Sequence, residues 1–254
     1  MGEFMTKFLG VTVSLLAIST APAMAESSAK TALFAVDDVN RDTVPAGTPE
    51  AFQAAFGKSS SNAVTRAVDD QNYSFVPLAL IPLSGGKTAL ISTGASECTG
   101  HVCGGLNTVH YLQPASGQAA SASRYAVAGE WMDVGASGTF GNPALRWGWT
   151  DAIASAPVLY TEGGGVWQGY ACSYAVLTEL TPAGPVEIAS IPIYYSDGGA
   201  KETGASAYEG TITSSVKNQS FTVTYTGSKT IAERYIRNKD GKYELKGKTK
   251  VPQC

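Results

Sequence analysis

From Tyr73 onward, the chain consists of short apolar runs that are separated by clusters of glycine, proline and small polar residues, such as LSGG, TPAGP and SDGGA. Glycine and proline in these clusters interrupt regular structure, so each run is confined to the length of a strand. The runs are rich in Val, Thr and Tyr, which favour strands over helices. The pattern predicts a mainly β protein with an antiparallel, sandwich-like or repeated β-hairpin architecture. The predicted strands are 74–83, 87–93, 106–112, 124–132, 157–160, 165–179, 186–194, 210–214, 220–226, 230–237 and 242–246.

A short helical element is predicted before these strands, in the stretch TPEAFQAAF. Thr48 is placed to cap the helix N-terminus, and Pro49 occupies the first helical position, where its missing N–H has no partner to lose. Gly57 is well placed to end the helix, because glycine readily adopts the left-handed conformation that follows a last turn. A second short helix is predicted in SNAVTRAV, at 61–68. Helical spacing brings four apolar side chains of the first helix to one face, namely Ala51, Phe52, Ala55 and Phe56.

The N-terminal stretch 5–25 has the pattern of a bacterial signal peptide. Lys7 supplies its positive charge, and an apolar run of about 11 residues follows, which is too short to cross a bilayer. Small residues precede the break, so cleavage is predicted after Ala25 and the mature protein is expected to be periplasmic or secreted. The four residues 1–4 are interpreted as a cloning remnant in front of the native start.

Beyond the signal peptide, no apolar run approaches the roughly 18 residues that a membrane-spanning helix needs, so no membrane span is expected. The remainder is interpreted as a single domain, with an N-terminal segment at 26–72 that carries the short helix and a β-rich body at 73–254. The net charge of −3 provides no electrostatic attraction for nucleic acid, and no nucleic-acid partner is expected. No motif indicates a cofactor, and none is predicted.

Four cysteines follow the predicted signal peptide: Cys98, Cys103, Cys172 and Cys254. An even number of cysteines in an oxidising compartment favours two disulfides. Three pairings are possible, and the preferred one joins Cys98 to Cys103 across a small loop and Cys172 to Cys254 across a large one. In the chain-entropy model, these two bonds stabilise the fold by at most about 2 and about 4–5 kcal/mol, because stabilisation grows with loop length.

The segment ECTGHVCGG raises the alternative of a metal site, because both histidines of the chain, His101 and His110, lie in it or close after it. Together with Cys98 and Cys103, they would supply the ligand set of a structural zinc site. Their spacing matches no familiar zinc finger, and thiols in an oxidising compartment pair with each other, so no metal is predicted. Alternation in LNTVHYL instead places His110 on one strand face, as a partly buried and hydrogen-bonded histidine.

The sequence contains no motif that identifies a catalytic residue. Neither Gly-x-Ser-x-Gly nor His-Glu-x-x-His occurs in it. A serine triad would have to combine one of the two histidines with Ser92, Ser96 or Ser137, and no spacing favours any of these serines. The catalytic residues of an enzyme, if the protein is one, are therefore not predicted.

All four tryptophans lie between residues 131 and 167, in a segment that is rich in aromatic and acidic residues. Aromatic rings stack on the apolar faces of sugars, and carboxylates beside them accept hydrogen bonds from sugar hydroxyls. In the alternative interpretation, the tryptophans fill the core between two sheets, since alternation places Trp147 and Trp149 on one strand face. The predicted ligand-binding residues are Trp131, Trp147, Trp149, Trp167, Glu130, Asp133 and Asp151.

These features favour an exported, β-rich binding protein whose ligand is a carbohydrate or an envelope polysaccharide. One alternative is a hydrolase of extracellular or envelope polymers that uses paired carboxylates among the same acids. A second alternative is a protein-binding inhibitor module. In that case the disulfide-closed loop 98–103 would project as a rigid element, because a preorganised loop loses little entropy on binding.

Overall fold

The computed structural model describes residues 32–57, 63–115 and 124–254, together with Met1. The predicted signal peptide at 5–25 and its cleavage site lie outside these residues and stay predictions. In the described chain, no helix has both the length and the apolar character needed to cross a membrane.

Two antiparallel sheets contain most of the described chain, and they confirm the predicted mainly β, antiparallel architecture. Nearly every strand pairs with the strand that precedes it, so the chain forms successive β-hairpins. The five-stranded sheet comprises, in chain order, β2 (Val64–Val68), β3 (Gln71–Pro82), β4 (Thr88–Ser96), β5 (Leu106–Pro114) and β6 (Tyr125–Trp131). The nine-stranded sheet begins with β1 (Asp37–Asp38) and continues with β7 (Arg146–Thr150), β8 (Val158–Trp167), β9 (Tyr170–Thr181), β10 (Gly184–Ser196), β11 (Ala207–Val216), β12 (Ser220–Gly227), β13 (Ile231–Arg237) and β14 (Tyr243–Leu245).

The predicted helix is present as α1 (Thr48–Phe56), and it ends at Gly57, whose φ of 68° is left-handed. Its start differs by one residue from the prediction. Gly47 occupies the N-cap position, and Thr48 is the first helical residue. The Thr48 hydroxyl donates a hydrogen bond to the carbonyl oxygen of Pro45 at 2.7 Å, so it stabilises the turn that leads into the helix.

Two local predictions are wrong. The segment predicted as a second helix at 61–68 contains strand β2, because Val64–Val68 pair with β3 across a tight turn in which Asp69 and Asp70 both have left-handed backbones. The single strand predicted at 165–179 is a hairpin of two strands. Gln168 and Gly169, with φ values of 50° and 83°, form the turn between β8 and β9.

The five-stranded sheet buries apolar side chains on both of its faces. Helix α1 covers one face, where Phe52 packs in a cluster with Phe75 and Leu90. Ile91, the next residue of β4, points to the opposite face, because successive strand residues alternate. There it shares a second core cluster with Leu159 of β8. The two sheets therefore pack against each other through this second cluster.

The nine-stranded sheet curls, so that its later strands fold back over the earlier ones. Val158 of β8 is buried in one core cluster with Phe221 of β12 and Tyr243 of β14. Across the same curl, the Arg237 guanidinium lies 3.1 Å from the carboxylate of Glu179 in β9. The concave side of the curled sheet consequently encloses the largest core cluster of the molecule.

Several connections between strands meet at one end of the molecule, because antiparallel strands alternate in direction. Contacts between the connections confirm this arrangement. The N–H of Gly141 donates to the carbonyl oxygen of Cys103 at 2.8 Å, and the N–H of Gly199 donates to that of Gly169 at 3.1 Å. We call this end the loop end, and it includes the connections 97–105, 132–145, 168–169 and 197–206.

Two disulfides join Cys98 to Cys103 and Cys172 to Cys254, which is the preferred pairing of the sequence analysis. The first closes a small loop at the loop end. The second ties residue 254 to strand β9, across a sequence separation of 82 residues. Disulfides of this kind are compatible with an exported protein, since they persist in oxidising compartments.

Candidate binding surface

The four tryptophans occupy different environments. Trp131 and Trp147 are half-buried and pack against the core cluster between the two sheets, with the Trp131 ring 4.8 Å from the ring of Tyr111. Trp149 and Trp167 are exposed. Leu159, the partner of Trp149 in β8, precedes Trp167 by eight residues, which corresponds to about 26 Å along a strand. The two exposed tryptophans therefore lie too far apart to stack on one sugar ring.

The three predicted carboxylates are also separated. Glu130 and Trp131 are successive residues of β6 and point to opposite faces, Glu130 towards the side of α1 and Trp131 towards the nine-stranded sheet. Asp133 follows β6 at the loop end, whereas Asp151 follows β7 at the other end of the molecule. The structure thus does not bring the seven predicted ligand-binding residues together at one site.

Glu130 joins the two edge strands of the five-stranded sheet. Its carboxylate accepts two hydrogen bonds from Arg66 of β2, at 3.0 and 2.8 Å, and one from the Nε2–H of His110 at 3.1 Å. The hydrogen bonds from Arg66 lower the pKa of Glu130, and burial lowers the pKa of His110. Glu130 is consequently an ionised link between strands that lie at opposite edges of the sheet.

No accessible hydrolytic arrangement forms around His110. Ser92, one of the three candidate nucleophiles, lies opposite Thr108 on the neighbouring strand, and both are fully buried together with His110. Within the described residues, the Ser92 hydroxyl and the Nδ1 of His110 have no hydrogen-bond partner. The two groups are therefore not joined as nucleophile and base, and a substrate cannot reach them in this conformation.

The alternative of a zinc site is not supported by the thiols, because Cys98 and Cys103 are bonded to each other. Among the residues that the structure describes, no group of three or more His, Cys, Asp or Glu side chains could hold a metal ion. His101 is held differently, since its Nε2–H donates a hydrogen bond to the carbonyl oxygen of Val166 at 2.8 Å.

An exposed apolar surface surrounds His101 at the loop end. The His101 ring lies 5.0 Å from the ring of Phe140 and 5.2 Å from that of Trp167, edge-on in both cases. Val102 is 93% exposed, Phe140 is 52% exposed and Trp167 is 44% exposed. Large exposed apolar patches of this kind mark sites of interaction. We call this surface the aromatic patch, and it consists of His101, Val102, Phe140, Trp167 and Tyr170, the last of which lies opposite Trp167 across the β8–β9 hairpin.

Backbone hydrogen bonds brace the two long loops that carry the aromatic patch. The N–H of Ser96 donates to the carbonyl oxygen of Gly141 at 2.8 Å, and the N–H of Gly105 donates to that of Asn142 at 2.7 Å. The backbones approach so closely that a Cβ at Gly105 would lie 2.3 Å from the nitrogen of Pro143. With the disulfide, these contacts hold both loops in one arrangement.

Phe140 has a left-handed backbone, with a φ of 57°. A bulky residue rarely adopts this conformation, which costs about 1–3 kcal/mol and persists only where the surrounding structure enforces it. Glycine would fit the backbone without strain. The protein therefore places a large, exposed aromatic side chain at a position where its backbone favours glycine.

Four carboxylates flank the aromatic patch on the side of the five-stranded sheet. Glu97 directly precedes the disulfide loop, and its N–H donates to the carbonyl oxygen of Asn72 at 3.2 Å, beside the β2–β3 turn. Burial and the nearby charge of Asp69 raise the pKa of Asp133. We call these carboxylates the acidic rim, and they are Asp69, Asp70, Glu97 and Asp133.

Comparison of the chain with protein-family models, with curated protein sequences and with solved structures finds no match. The assignment of a function therefore rests on the geometry of the chain itself.

Sequence reasoning missed Val102 and Phe140 as surface residues of a site. One signal is available for Phe140, because it is a large apolar residue inside a turn cluster, GTFGNP. The loop 98–103 is conspicuous in the sequence for its cysteines, but its neighbours in space come from distant parts of the chain.

Proposed function

We propose that the protein is an exported binding module that recognises another protein through the aromatic patch. The observation that carries this proposal is the exposed cluster of Phe140 and Trp167 around His101, on loops that are already fixed. The partner would contribute an apolar surface element that is flanked by basic residues. The apolar element would cover the aromatic patch, and the basic residues would face the acidic rim.

The composition of the aromatic patch favours a protein over a carbohydrate. Val102 is aliphatic and neutral, and such a side chain suits an apolar protein surface better than sugar hydroxyls. A sugar site places carboxylates or amides beside the stacking ring. Neither Glu130 nor Asp151 can accept hydrogen bonds from a sugar stacked on Trp167. Glu130 is paired with Arg66, and Asp151 lies at the opposite end of the molecule.

The rigidity of the loops supports tight recognition. A surface that is already ordered loses little conformational entropy on binding. Exposed Trp and Tyr side chains are the residues that most often dominate the binding energy of an interface, and the patch offers Trp167 and Tyr170. Carboxylates at the edge of an interface steer a basic partner and exclude an acidic one.

Site-specific photo-crosslinking in the exporting cell tests this proposal. The protein carries p-benzoylphenylalanine in place of Val102, and in a matched control in place of Val186, which is 48% exposed on β10. We expect a covalent adduct with one other polypeptide from position 102 and none from position 186. The adduct should disappear when Trp167→Ala is combined with the probe.

The identified partner is then purified, and its affinity is measured directly. We expect Trp167→Ala to weaken binding by roughly 30-fold or more, as for an aromatic hot spot. Asp69→Asn with Asp133→Asn should slow association, mainly at low salt. An adduct that contains only a second copy of this chain would overturn the proposal in favour of self-association. Glycan binding that is lost in Trp167→Ala, without a protein adduct, would overturn it in favour of the carbohydrate hypothesis.

Export itself is tested by the intact mass of the protein after secretion. We expect a chain that starts at Glu26 and lacks four hydrogens because of its two disulfides. A protein that keeps residues 5–25, or that reacts with a thiol reagent before reduction, would contradict this expectation.

A further inference from the structure

A cavity of about 190 Å³ lies inside the curl of the nine-stranded sheet, away from the aromatic patch. The segment 32–36 crosses the open side of the curl and forms one wall, and the N–H of Leu33 donates to the carbonyl oxygen of Ile212 in β11 at 2.9 Å. Strands β8, β10 and β11 form the other walls. Its apolar lining includes Phe34, Val36, Ile193 and Ile212.

Arg146 and Glu209 line the cavity at its mouth, and two further carboxylates, Glu162 and Asp38, lie close to the Arg146 guanidinium. Arg146 lies 3.5 Å from Glu162, 3.8 Å from Glu209 and 3.8 Å from Asp38. Glu162 is nearly buried, and it also accepts a hydrogen bond from the hydroxyl of Tyr160 at 2.9 Å. Arg146 neutralises only one of the three negative charges, so the mouth has an excess of negative charge.

Two of these carboxylates have unused hydrogen-bonding capacity. Glu209 and Asp38 are exposed, and their distances of 3.8 Å to Arg146 are too long for hydrogen bonds. Among the described residues, no side-chain hydrogen bond to either carboxylate is formed. A cation at the mouth would supply donors to Glu209 and Asp38 and would neutralise part of the excess charge.

We propose that this cavity binds a small amphipathic amine, with its apolar body among Phe34, Ile193 and Ile212 and its ammonium group beside Glu209. The size of the cavity limits the ligand. An apolar cavity of about 150 Å³ accommodates benzene, so the ligand class is an aromatic or branched aliphatic monoamine with a single ring or a comparable body. A carboxylate in the same position would meet the negative mouth and be repelled.

Benzylamine is the probe for this site, and benzyl alcohol and benzoate are its neutral and anionic counterparts. Binding to the purified, disulfide-bonded protein is followed by the amide resonances of Val36, Gly210 and Thr211, which line the cavity. We expect saturable shifts at these positions with benzylamine. Benzyl alcohol should bind about tenfold more weakly, because it lacks the interaction of the ammonium group with the carboxylates. Benzoate should bind more weakly still.

Four variants, two of them controls outside the cavity, separate the parts of the site. Glu209→Gln should remove most of the preference for benzylamine over benzyl alcohol, whereas Glu187→Gln, an exposed acid on β10 outside the cavity, should leave it unchanged. Val36→Phe should abolish binding of both compounds by filling the cavity. Trp167→Ala should bind benzylamine normally, so this site and the aromatic patch can fail independently.

Three results would overturn the proposal. The first is the absence of shifts at the cavity residues with millimolar benzylamine. The second is a benzoate affinity equal to or higher than that of benzylamine. The third is benzylamine binding that Val36→Phe and Glu209→Gln leave unaltered, since the compound would then occupy another surface. Glu209→Gln changes an exposed side chain, so it still tests the site even if Val36→Phe does not fold.

Discussion

Phe140 combines an exposed aromatic side chain with a backbone conformation that suits glycine. Phe140→Ala and Phe140→Gly separate the effect of the backbone conformation from that of the ring. Both substitutions remove the ring, but only Phe140→Gly also removes the Cβ. Relief of the left-handed strain is worth roughly 1–2 kcal/mol, and the greater freedom of glycine in the unfolded chain offsets about 0.4–1 kcal/mol of it. We expect the free energy of unfolding of Phe140→Gly to exceed that of Phe140→Ala by roughly 0.8 kcal/mol, the middle of the difference between these ranges.

Urea unfolding of both variants measures this difference. Thr139 is the matched control, because its φ is not left-handed. There, the order should be reversed, with Thr139→Ala more stable than Thr139→Gly. Equal stability of the two Phe140 variants would show that the loop relaxes and that the conformation stores no strain.

His110 gives the protein a predictable response to pH. Burial lowers the pKa of His110 below its usual 6.5, although the hydrogen bond to Glu130 opposes this shift. The unfolded chain therefore binds more protons than the folded chain once the pH falls below about 6.5. The free energy of unfolding should decrease as the pH falls from 6.5 through the pKa of folded His110.

Denaturation at a series of pH values between 7.5 and 5 tests this response. We expect His110→Gln to be less sensitive to pH over this interval than the wild type. If His110→Gln keeps the full wild-type pH dependence, His110 is not its source.

At the scale of elements, the two disulfides constrain loops of very different length. Cys98 and Cys103 are separated by 5 positions, and Cys172 and Cys254 by 82. In the chain-entropy model, replacing the first pair by serine should lower the free energy of unfolding by about 2 kcal/mol, and replacing the second by at most about 4–5 kcal/mol.

Urea unfolding of the two double variants, each compared with the oxidised wild type, checks both magnitudes. The effects of the two double variants on partner affinity should have the opposite order to their effects on stability. Loss of the Cys98–Cys103 bond should loosen the aromatic patch, whereas loss of the Cys172–Cys254 bond should leave partner affinity nearly unchanged. A larger effect of the second pair on affinity would argue against a preorganised patch.

Elements with strong turn chemistry were predictable from the sequence, and elements without it were not. The predicted strands 230–237 and 242–246 are separated by Asp240-Gly241, and they are present as the hairpin of β13 and β14, because glycine at a turn acts locally. The turn between β8 and β9 was not predicted, because glutamine rarely adopts the left-handed conformation that Gln168 has there. Strand β2 was missed because its composition also suits a helix, and its pairing with β3 decides the outcome.

The candidate site was less predictable than the fold. His101, Phe140 and Trp167 contact one another because connections from both sheets pack together at the loop end. The local sequence around each residue does not indicate these contacts. Tryptophan and acid content drew attention to residues 130–167, and the structure uses that segment partly as core and partly as surface. The sequence does not distinguish Trp131 from Trp167. Trp131 packs against the core between the two sheets, whereas Trp167 lies at the end of its strand and is exposed.

At the scale of the whole molecule, Leu159 connects the two sheets. It is fully buried and belongs to the core cluster that contains residues of both sheets. Leu159→Ala should therefore lower the free energy of unfolding by about 2–5 kcal/mol. If the sheets unfold together, far-ultraviolet circular dichroism and tryptophan fluorescence should shift to the same lower urea midpoint.

The control for this substitution is Ile236→Ala, because Ile236 is a strand residue that is 37% exposed. Its effect should stay within about 0.5 kcal/mol, as for most surface positions. Two separated transitions in Leu159→Ala would show that the sheets are independent units joined by the connection between β6 and β7.

The position of the segment 32–36 sets the order in which the fold can be completed. The five-stranded sheet pairs strands that follow one another along the chain, so it can form before the nine-stranded sheet is complete. Segment 32–36 precedes these strands in sequence, yet its hydrogen-bond partner Ile212 lies far behind them, in β11. An early part of the chain must therefore wait for a late strand before it settles. The cavity acquires its final wall only then, so a chain truncated before β11 would contain most of the strands and lack the complete cavity.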